Sequence, residues 1–478
     1  MAVLEHLEPK GVFSFFEQLC AIPHGSGNTK AISDFLARFA EARGLEHVQD
    51  ALNNVIIIKE ATPGYEAAEP VILQGHMDMV CEKAPDCAKD MAVEGLDLAV
   101  EGDTVFARGT TLGGDDGIAV AMALAVLDAQ DLPHPRIEAV FTVDEETGMD
   151  GAFGIDVSPL TAKRMINIDS EAEGIFTVSC AGGCGATCVL PVTRADFSGA
   201  ALRVDVTGLV GGHSGTEINK GRANADMLLG RVLLECADRV PLRIVSVSGG
   251  LKDNAIPAAA CATLIAADEA ALRAVCAEMD AAFRNEYCVT DPLVTVRVSA
   301  AEAAAALDEE STRRVICLLT CAPNGIQTMS ADIEGLVQTS LNLGILTTDG
   351  DNVTASFSVR SSVESQKKML VDRLRCLVQQ LGGSVSIRGD YPGWAYRQES
   401  PLRELMSEVF TAQYGHPPVI EAIHAGLECG LFSGKIPGLD CVSIGPDLTD
   451  IHTFREKLHI ASTARTWALL TEVLKRMK

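Results

Sequence analysis

Two side chains able to hold a cation stand one residue apart in Gln74-Gly75-His76-Met77-Asp78-Met79-Val80, directly after the short apolar run Pro70-Val71-Ile72-Leu73. Such a run reads as a buried strand. If the backbone stays extended beyond it, His76 and Asp78 point the same way, because strand side chains repeat every second residue. An imidazole beside a carboxylate is how proteins fix the tautomer of a metal ligand. More groups of this kind follow: Asp115-Asp116 after a double glycine, Glu145-Glu146, Asp169 and, far downstream, His452. Imidazole and carboxylate without thiolate suit a catalytic zinc, cobalt or manganese centre rather than a closed structural zinc site. His76, Asp115, Glu146, Asp169 and His452 are too many for one tetrahedral ion with an open position. They suffice for two ions sharing one carboxylate, about 3.5–4 Å apart, an arrangement that activates a water and clamps the oxygens of a tetrahedral intermediate. The water also needs a base held off the metals. In the Glu145-Glu146 pair one carboxylate can ligate while the other faces the water.

Taken singly each signal is weak. Asp115-Asp116 ahead of a helix reads as an N-cap pair, since carboxylates accept from free first-turn N–H groups, and a Glu-Glu pair after a strand reads as a solvated loop. The order of elements lifts the joint reading. The patterns predict helices over Pro9–Ile22 and over Thr29–Arg43, the latter closed by Gly44, strands at Asn54–Lys59 and Val71–Gln74, and a hairpin over Leu96–Ala107. A glycine-rich turn then opens a helix from Ile118 to Ala129, and the strands Arg136–Val143 and Arg164–Ile168 follow. Strand and helix alternate, which argues an α/β sheet with helices on both faces. In such sheets ligands sit just past the carboxyl ends of strands, the position of His76, Glu145, Glu146 and Asp169.

From residue 201 to about 387 the pattern is again α/β but poor in metal ligands near strand ends. It includes a Gly211-Gly-His213-Ser-Gly turn, a helix over Asn219–Asp238 and strands at 336–342 and 352–359. The chain then returns with a helix at Pro401–Tyr414, strands at 419–422 and 439–444, His452 and a last helix over Ser462–Met477. The expected organisation is a catalytic domain of mixed sheet flanked by helices, residues 1–185 and 391–478, interrupted by an inserted α/β lid domain, residues 186–390.

At 478 residues, 47% of them hydrophobic, the chain can bury large cores and disorder is excluded as a general description. A formal net charge of −26 argues against nucleic acid or an acidic membrane as partner. The N-terminus lacks a basic segment and an apolar core, and the apolar stretch Ile118–Leu127 is too short to cross a bilayer, so a cytoplasmic protein is expected. Fifteen cysteines form no CxxC pair. Cys180, Cys184 and Cys188, spaced by four, read as reduced buried thiols.

Gly75-His76-Met-Asp78, Leu112-Gly-Gly-Asp115-Asp116-Gly117, Asp144-Glu145-Glu146-Thr-Gly148, Asn167-Ile-Asp169-Ser-Glu171 and His452-Thr-Phe-Arg-Glu456 resemble the M20 metallopeptidases. Within them the chain is most similar to the aminoacyl-histidine dipeptidase branch, through Lys252-Asp-Asn-Ala-Ile-Pro257, His424-Ala-Gly-Leu-Glu-Cys-Gly430 and its length. The resemblance implies a zinc-exopeptidase-like fold and a cytosolic homodimer that hydrolyses dipeptides, with a preference for Xaa-His. It implies two Zn2+ per chain, Co2+ or Mn2+ being possible substitutes. Asp115 would bridge the ions, with His76 and Asp169 on one and Glu146 and His452 on the other. Asp78 would orient His76, and Glu145 would be the general base. His213, in the inserted domain, would stabilise the oxyanion, while Asn254 and Arg360 would bind the substrate's backbone and carboxylate. Asp116 stands where relatives carry Asn, and Asp115, directly after the double glycine, matches the bridging position. An aminoacylase of the same fold is the alternative enzyme, and a catalytically inactive binding homologue the alternative from another class.

Overall fold

The computed structural model describes residues 3–302 and 305–478. The chain divides into two compact units. One takes the chain up to Ser179 and then Tyr396–Ala422 and Leu427–Lys478; the other takes Cys180–Ala395 and Ile423–Gly426. The boundaries thus fall at 179/180 and 395/396, where the sequence patterns suggest 185/186 and 390/391, and the short stretch at 423–426 joins the inserted unit.

The first unit is built on an eight-stranded mixed sheet, in the spatial order Glu46–Gln49, Val55–Lys59, Ile137–Thr142, Val71–His76, Arg164–Asn167, Asp440–Ser443, Ile175–Cys180 and Val419–Ile423. The four middle strands run parallel, with Gly75 opposite Phe141, Gln74 opposite Asn167 and Ser443 opposite Asn167. Val71–His76 and Ile137–Thr142 are buried along their whole length, which is why they read as apolar runs rather than alternating ones. Because the four are parallel, their carboxyl ends share one edge of the sheet.

The helix Gly114–Asp128 is buried from Gly114 to Leu127 and apolar all round from Gly117 to Leu127; such a helix belongs inside a domain rather than on its surface. It packs on the helix Lys10–Cys20 and on the His76 strand. Gly75 permits that approach, since a Cβ there would lie 2.6 Å from the Ala119 Cβ and 2.5 Å from an Asp116 carboxylate oxygen. The Lys30–Arg43 helix ends on Gly44 at φ 65°, and the hairpin is Leu98–Glu101 with Thr104–Ala107.

The inserted unit carries a nine-stranded sheet in which the described pairings are antiparallel. The helices Ala225–Arg239, Glu269–Glu286, Glu309–Cys321 and Glu364–Gln380 supply its core with Leu229, Phe283, Leu318 and Leu374. Along Asn352–Ser361 the residues Val353, Ala355, Phe357 and Val359 enter that core. By alternation Ser356, Ser358 and Arg360 lie on the opposite face.

Three local readings differ. The helix expected from Asn219 starts at Ala225, because the Asn224 side chain accepts from the amides of Asp226 and Met227, and one 3₁₀ turn at Ile218–Lys220 precedes it. The strand Ala260–Ala266 escapes the pattern because alanine has little strand propensity; pairing on both sides, with Ala200–Thr207 and Leu242–Gly249, makes it a strand. Glu428–Lys435 is a helix despite two glycines. Cys180, Cys184 and Cys188 are buried as thiols, and burial pushes Cys184 up to about 11 and Cys188 to about 12.

Candidate metal centre

Beyond the shared edge of the parallel strands the chain turns sharply, and the acidic groups arrive on those turns. His76 closes its strand. Its Nδ1 lies 3.0 Å from the Asp78 carbonyl oxygen and 3.5 Å from the Asp78 carboxylate. A carbonyl only accepts, so Nδ1 carries the proton and Nε2 is free to face outward. Nε2 lies 3.2 Å from Asp115 Oδ1 and 3.7 Å from Asp169.

Asp115 sits at the start of its helix with non-helical φ/ψ, and its peptide bond to Asp116 is cis. Its second oxygen, Oδ2, is 3.1 Å from Nε2 of His452, and that nitrogen is 3.0 Å from Glu146. One carboxylate therefore addresses two imidazoles, one with each oxygen. Ligand atoms of His76, Asp115 and Glu146 lie within 4.8 Å of one another, as do those of His76, Asp116 and Asp169. Asp116 is the less suited of the two aspartates to bridge. One of its oxygens accepts the His76 amide at 3.2 Å, and burial drives its pKa well above the usual carboxylate range.

Asp78 ties the base to this cluster. Its carboxylate accepts from the Glu145 amide at 3.1 Å and from the Ser26 hydroxyl at 2.7 Å. Burial raises Glu145 to about 7, opposed by His76 and assisted by the neighbouring carboxylates. Burial and then the nearby Asp116 drive Asp169 well above its usual value. For Asp115 burial also works upward, yet hydrogen bonds from His452 and His76 hold it well below the carboxylate range. Hydrogen bonds to Asp115 and Glu146 raise His452 to about 10. Oε1 of Glu146 is buried with no hydrogen-bond partner. Six carboxylates packed at one edge with two imidazoles, one oxygen orphaned, fit a site for divalent metal, and the donors are oxygen and nitrogen.

The other three predicted residues lie together in the inserted unit. The short strand Gly212–His213 pairs with Ala255–Ile256, and the Ser214 amide donates to the Asn254 carbonyl at 2.9 Å. His213 Nδ1 accepts from the amides of Gly215 and Thr216 at 3.3 and 3.1 Å. Its proton is therefore on Nε2, which is left as a donor. Burial and then Arg360 lower its pKa. A Cβ at Gly215 would meet the His424 carbonyl at 2.6 Å, His213 Cε1 at 3.0 Å and Arg360 Nε at 3.2 Å, so the three converge there. Arg360 Nε has no partner, and its Nη1 donates to the Tyr391 hydroxyl at 3.4 Å. His424, bonded to Ser340 at 2.7 Å, is lowered to about 4 by burial and by Arg360.

Sequence reasoning assigned no role to Ser26, Glu428, Tyr391 or His424. Glu428 is fully buried; it accepts from Gln74 and Thr142, both at 2.6 Å, and Gln74 accepts from Asn167 at 2.6 Å. A lone glutamate between glycines carries no signal of burial; only the stretch containing it stood out.

This assembly of sheet, turns and acids has counterparts among known proteins. The sequence profile of peptidase family M20/M25/M40 matches residues 72–476. The cytosol non-specific dipeptidase of Escherichia coli K12 is 38% identical over 100% of this chain and 99% of its own. The solved aminoacylhistidine dipeptidase from Vibrio alginolyticus superposes with a TM-score of 0.94 at 34% identity, covering 99% of this chain and 97% of that one. An aminopeptidase PepT structure from Bacillus cereus shares the fold alone, with a TM-score of 0.59 at 16% identity over 98% of this chain and 99% of that one. The chain belongs to the M20/M25/M40 peptidase family. It is a hydrolase acting on peptide bonds.

Proposed function

We propose that the chain is a dipeptidase with two divalent ions, zinc or its substitutes cobalt and manganese. His76 and Asp169 hold one, Glu146 and His452 the other, and Asp115 is shared. When bound, the ions supply Lewis acidity, lowering the pKa of a water and offsetting charge on the peptide carbonyl. Glu145 takes the proton of the attacking water and returns it to the leaving amine. Asp78 keeps the His76 ring turned and, through the Glu145 amide, keeps the base in register with it. His213 offers its Nε2–H to the developing oxyanion. Arg360 pairs with the substrate's carboxylate, and Asn254 binds its backbone.

One observation carries this reading: the two Asp115 oxygens face two different imidazoles, at 3.2 and 3.1 Å. A dipeptide substrate is supported by the names of the two full-length relatives. One of these is called non-specific and the other aminoacylhistidine-directed, so the Xaa-His preference rests on the second alone. Cytosolic location and a homodimer belong to the same reading; among the described residues no helix is long and apolar enough to cross a membrane.

A panel of dipeptides with varied C-terminal residues, run with and without chelator beside metal analysis, tests it. Hydrolysis that stops on chelation and returns with two ions per chain is the expected result, with Xaa-His cleaved fastest. Full activity with one ion or fewer per chain, or hydrolysis confined to N-acyl amino acids, overturns it.

A further inference from the structure

Glu456 is 3% exposed and carries no ligand role, yet its carboxylate is the most fully bonded in the first unit's site. Oε2 accepts from the amides of Leu112 and Gly113 at 2.8 and 3.1 Å, and Oε1 from those of Gly114 and Asp115 at 2.8 and 3.3 Å. Four successive N–H groups converge on one anion only if the backbone curls around it, as in an anion-binding nest. Gly113, at φ 66°, provides the curl. Gly114 has no room for a side chain, since a Cβ would sit 3.2 Å from Glu456 Oε1 and 2.7 Å from Leu448.

The two ends of this clamp are informative. At one end it grips the turn that delivers Asp115. At the other, Glu456 stands four residues after His452, with its own amide bonded to the Thr453 carbonyl at 3.1 Å. His452 and Asp450 both take positive φ, a conformation that non-glycine residues keep only when their surroundings hold them. His452 is also half exposed, at 47% of its side chain, so little packing fixes its ring. His76 and Asp169, by contrast, follow directly from strands of the central sheet.

We propose that Glu456 is a positioning residue for one ion of the pair: by joining the Asp115 turn to the His452 turn, it sets the affinity of the ion held by Glu146 and His452. The inference rests on the two-ion reading above. Groups that orient metal ligands from behind are worth about 10–100-fold in affinity. The other ion, whose ligands hang from the sheet, depends on Glu456 only through the shared Asp115.

The test is titration of metal-stripped protein with Co2+, followed by its visible spectrum, and with Zn2+ against a chromogenic chelator. Glu456→Gln keeps the shape but places an amide nitrogen against two of the four N–H donors. The expected result is two ions in wild type and, in the variant, a weaker ion loosened about 10–100-fold while the tighter one shifts only a few-fold. Gly114→Ala, whose Cβ would lie 3.2 Å from the same oxygen, should reproduce the pattern. Unchanged affinities, equal loss of both ions, or unfolding of both variants on circular dichroism would each overturn the proposal, the last by making Glu456 a plain structural residue. Wild type that binds fewer than two ions would instead defeat the two-ion reading itself.

Discussion

At the sheet edge of the first unit, Asp115, Asp116, Glu145, Glu146 and Asp169 share space with two imidazoles, whereas at Gly215 of the inserted unit an arginine meets two histidines. Each cluster strains its own titratable groups. In the first, burial and like charge push Asp116 and Asp169 well up and Glu145 to about 7. In the second, burial and then Arg360 push His213 down and His424 to about 4. Glu217, which accepts the His213 amide at 2.9 Å, is itself paired with Lys220 and Arg222, and among the described residues Arg360 forms no ion pair. One region is short of positive charge and the other of negative charge. Opposite deficits of this kind support the proposed assignment of cations to the first and a substrate carboxylate to the second.

The largest effects are expected within the Glu145-Glu146 pair. Glu145→Gln should keep both ions yet lose activity about 10²–10⁴-fold, the usual cost of deleting a general base. Glu146→Gln should lose metal as well if Glu146 is the proposed ligand, the role that its orphaned oxygen and its contact to His452 support. Metal analysis beside steady-state kinetics separates the two. Equal metal content and equal activity in both variants would erase the division of labour.

The inserted unit yields the next effects. His213→Ala should lower kcat by about 10²–10³-fold with metal content unchanged. The charge its Nε2–H meets exists only in the transition state, so kcat should fall more than KM rises. Wild-type kcat in this variant would reduce His213 to a turn residue. Arg360→Lys keeps the charge but removes the planar fork, and should cost about 10–100-fold in kcat/KM, mostly through KM. An Arg360→Lys enzyme with an unaltered KM for dipeptides would mean that the carboxylate goes elsewhere.

Much of this was legible before the structure, for a physical reason. Parallel strands buried on both faces are bare apolar runs, so the polar residues just past Leu73, Val143 and Ile168 stand out against them. The inserted unit was harder to read. Its antiparallel sheet includes the alanine-rich Ala260–Ala266, and His213, Arg360 and His424 are scattered over Gly212–His213, Asn352–Ser361 and the stretch Ile423–Gly426. No spacing rule links residues that only tertiary pairing brings to Gly215. Glu456 lay inside a recognised motif, yet its partners are backbone amides, which leave no trace in side-chain identity.

Asp226 offers the smallest and cleanest test of how buried charge is handled when no ligand is involved. It begins the Ala225–Arg239 helix in the inserted unit with 0% exposure, and neither carboxylate oxygen has a partner. The absent side chain of Gly249 makes room for it, since a Cβ there would lie 1.7 Å from Oδ1. Burial alone lifts its pKa to about 8. An unfolded aspartate titrates near 3.9, so between pH 4 and 8 the unfolded chain gives up a proton that the folded chain keeps. The unfolded state then binds fewer protons, and stability from this residue falls as pH rises, levelling off above about 8. Asp226→Asn removes that dependence while keeping the shape. The variant should unfold at higher denaturant than wild type at pH 8, because Asn has no proton to lose on unfolding, and the gap should narrow steadily toward pH 5. Denaturant unfolding of the metal-loaded chain at several pH values measures it. A gap that stays constant, or widens on acidification, would mean that Asp226 is ionised in the fold and has found a partner.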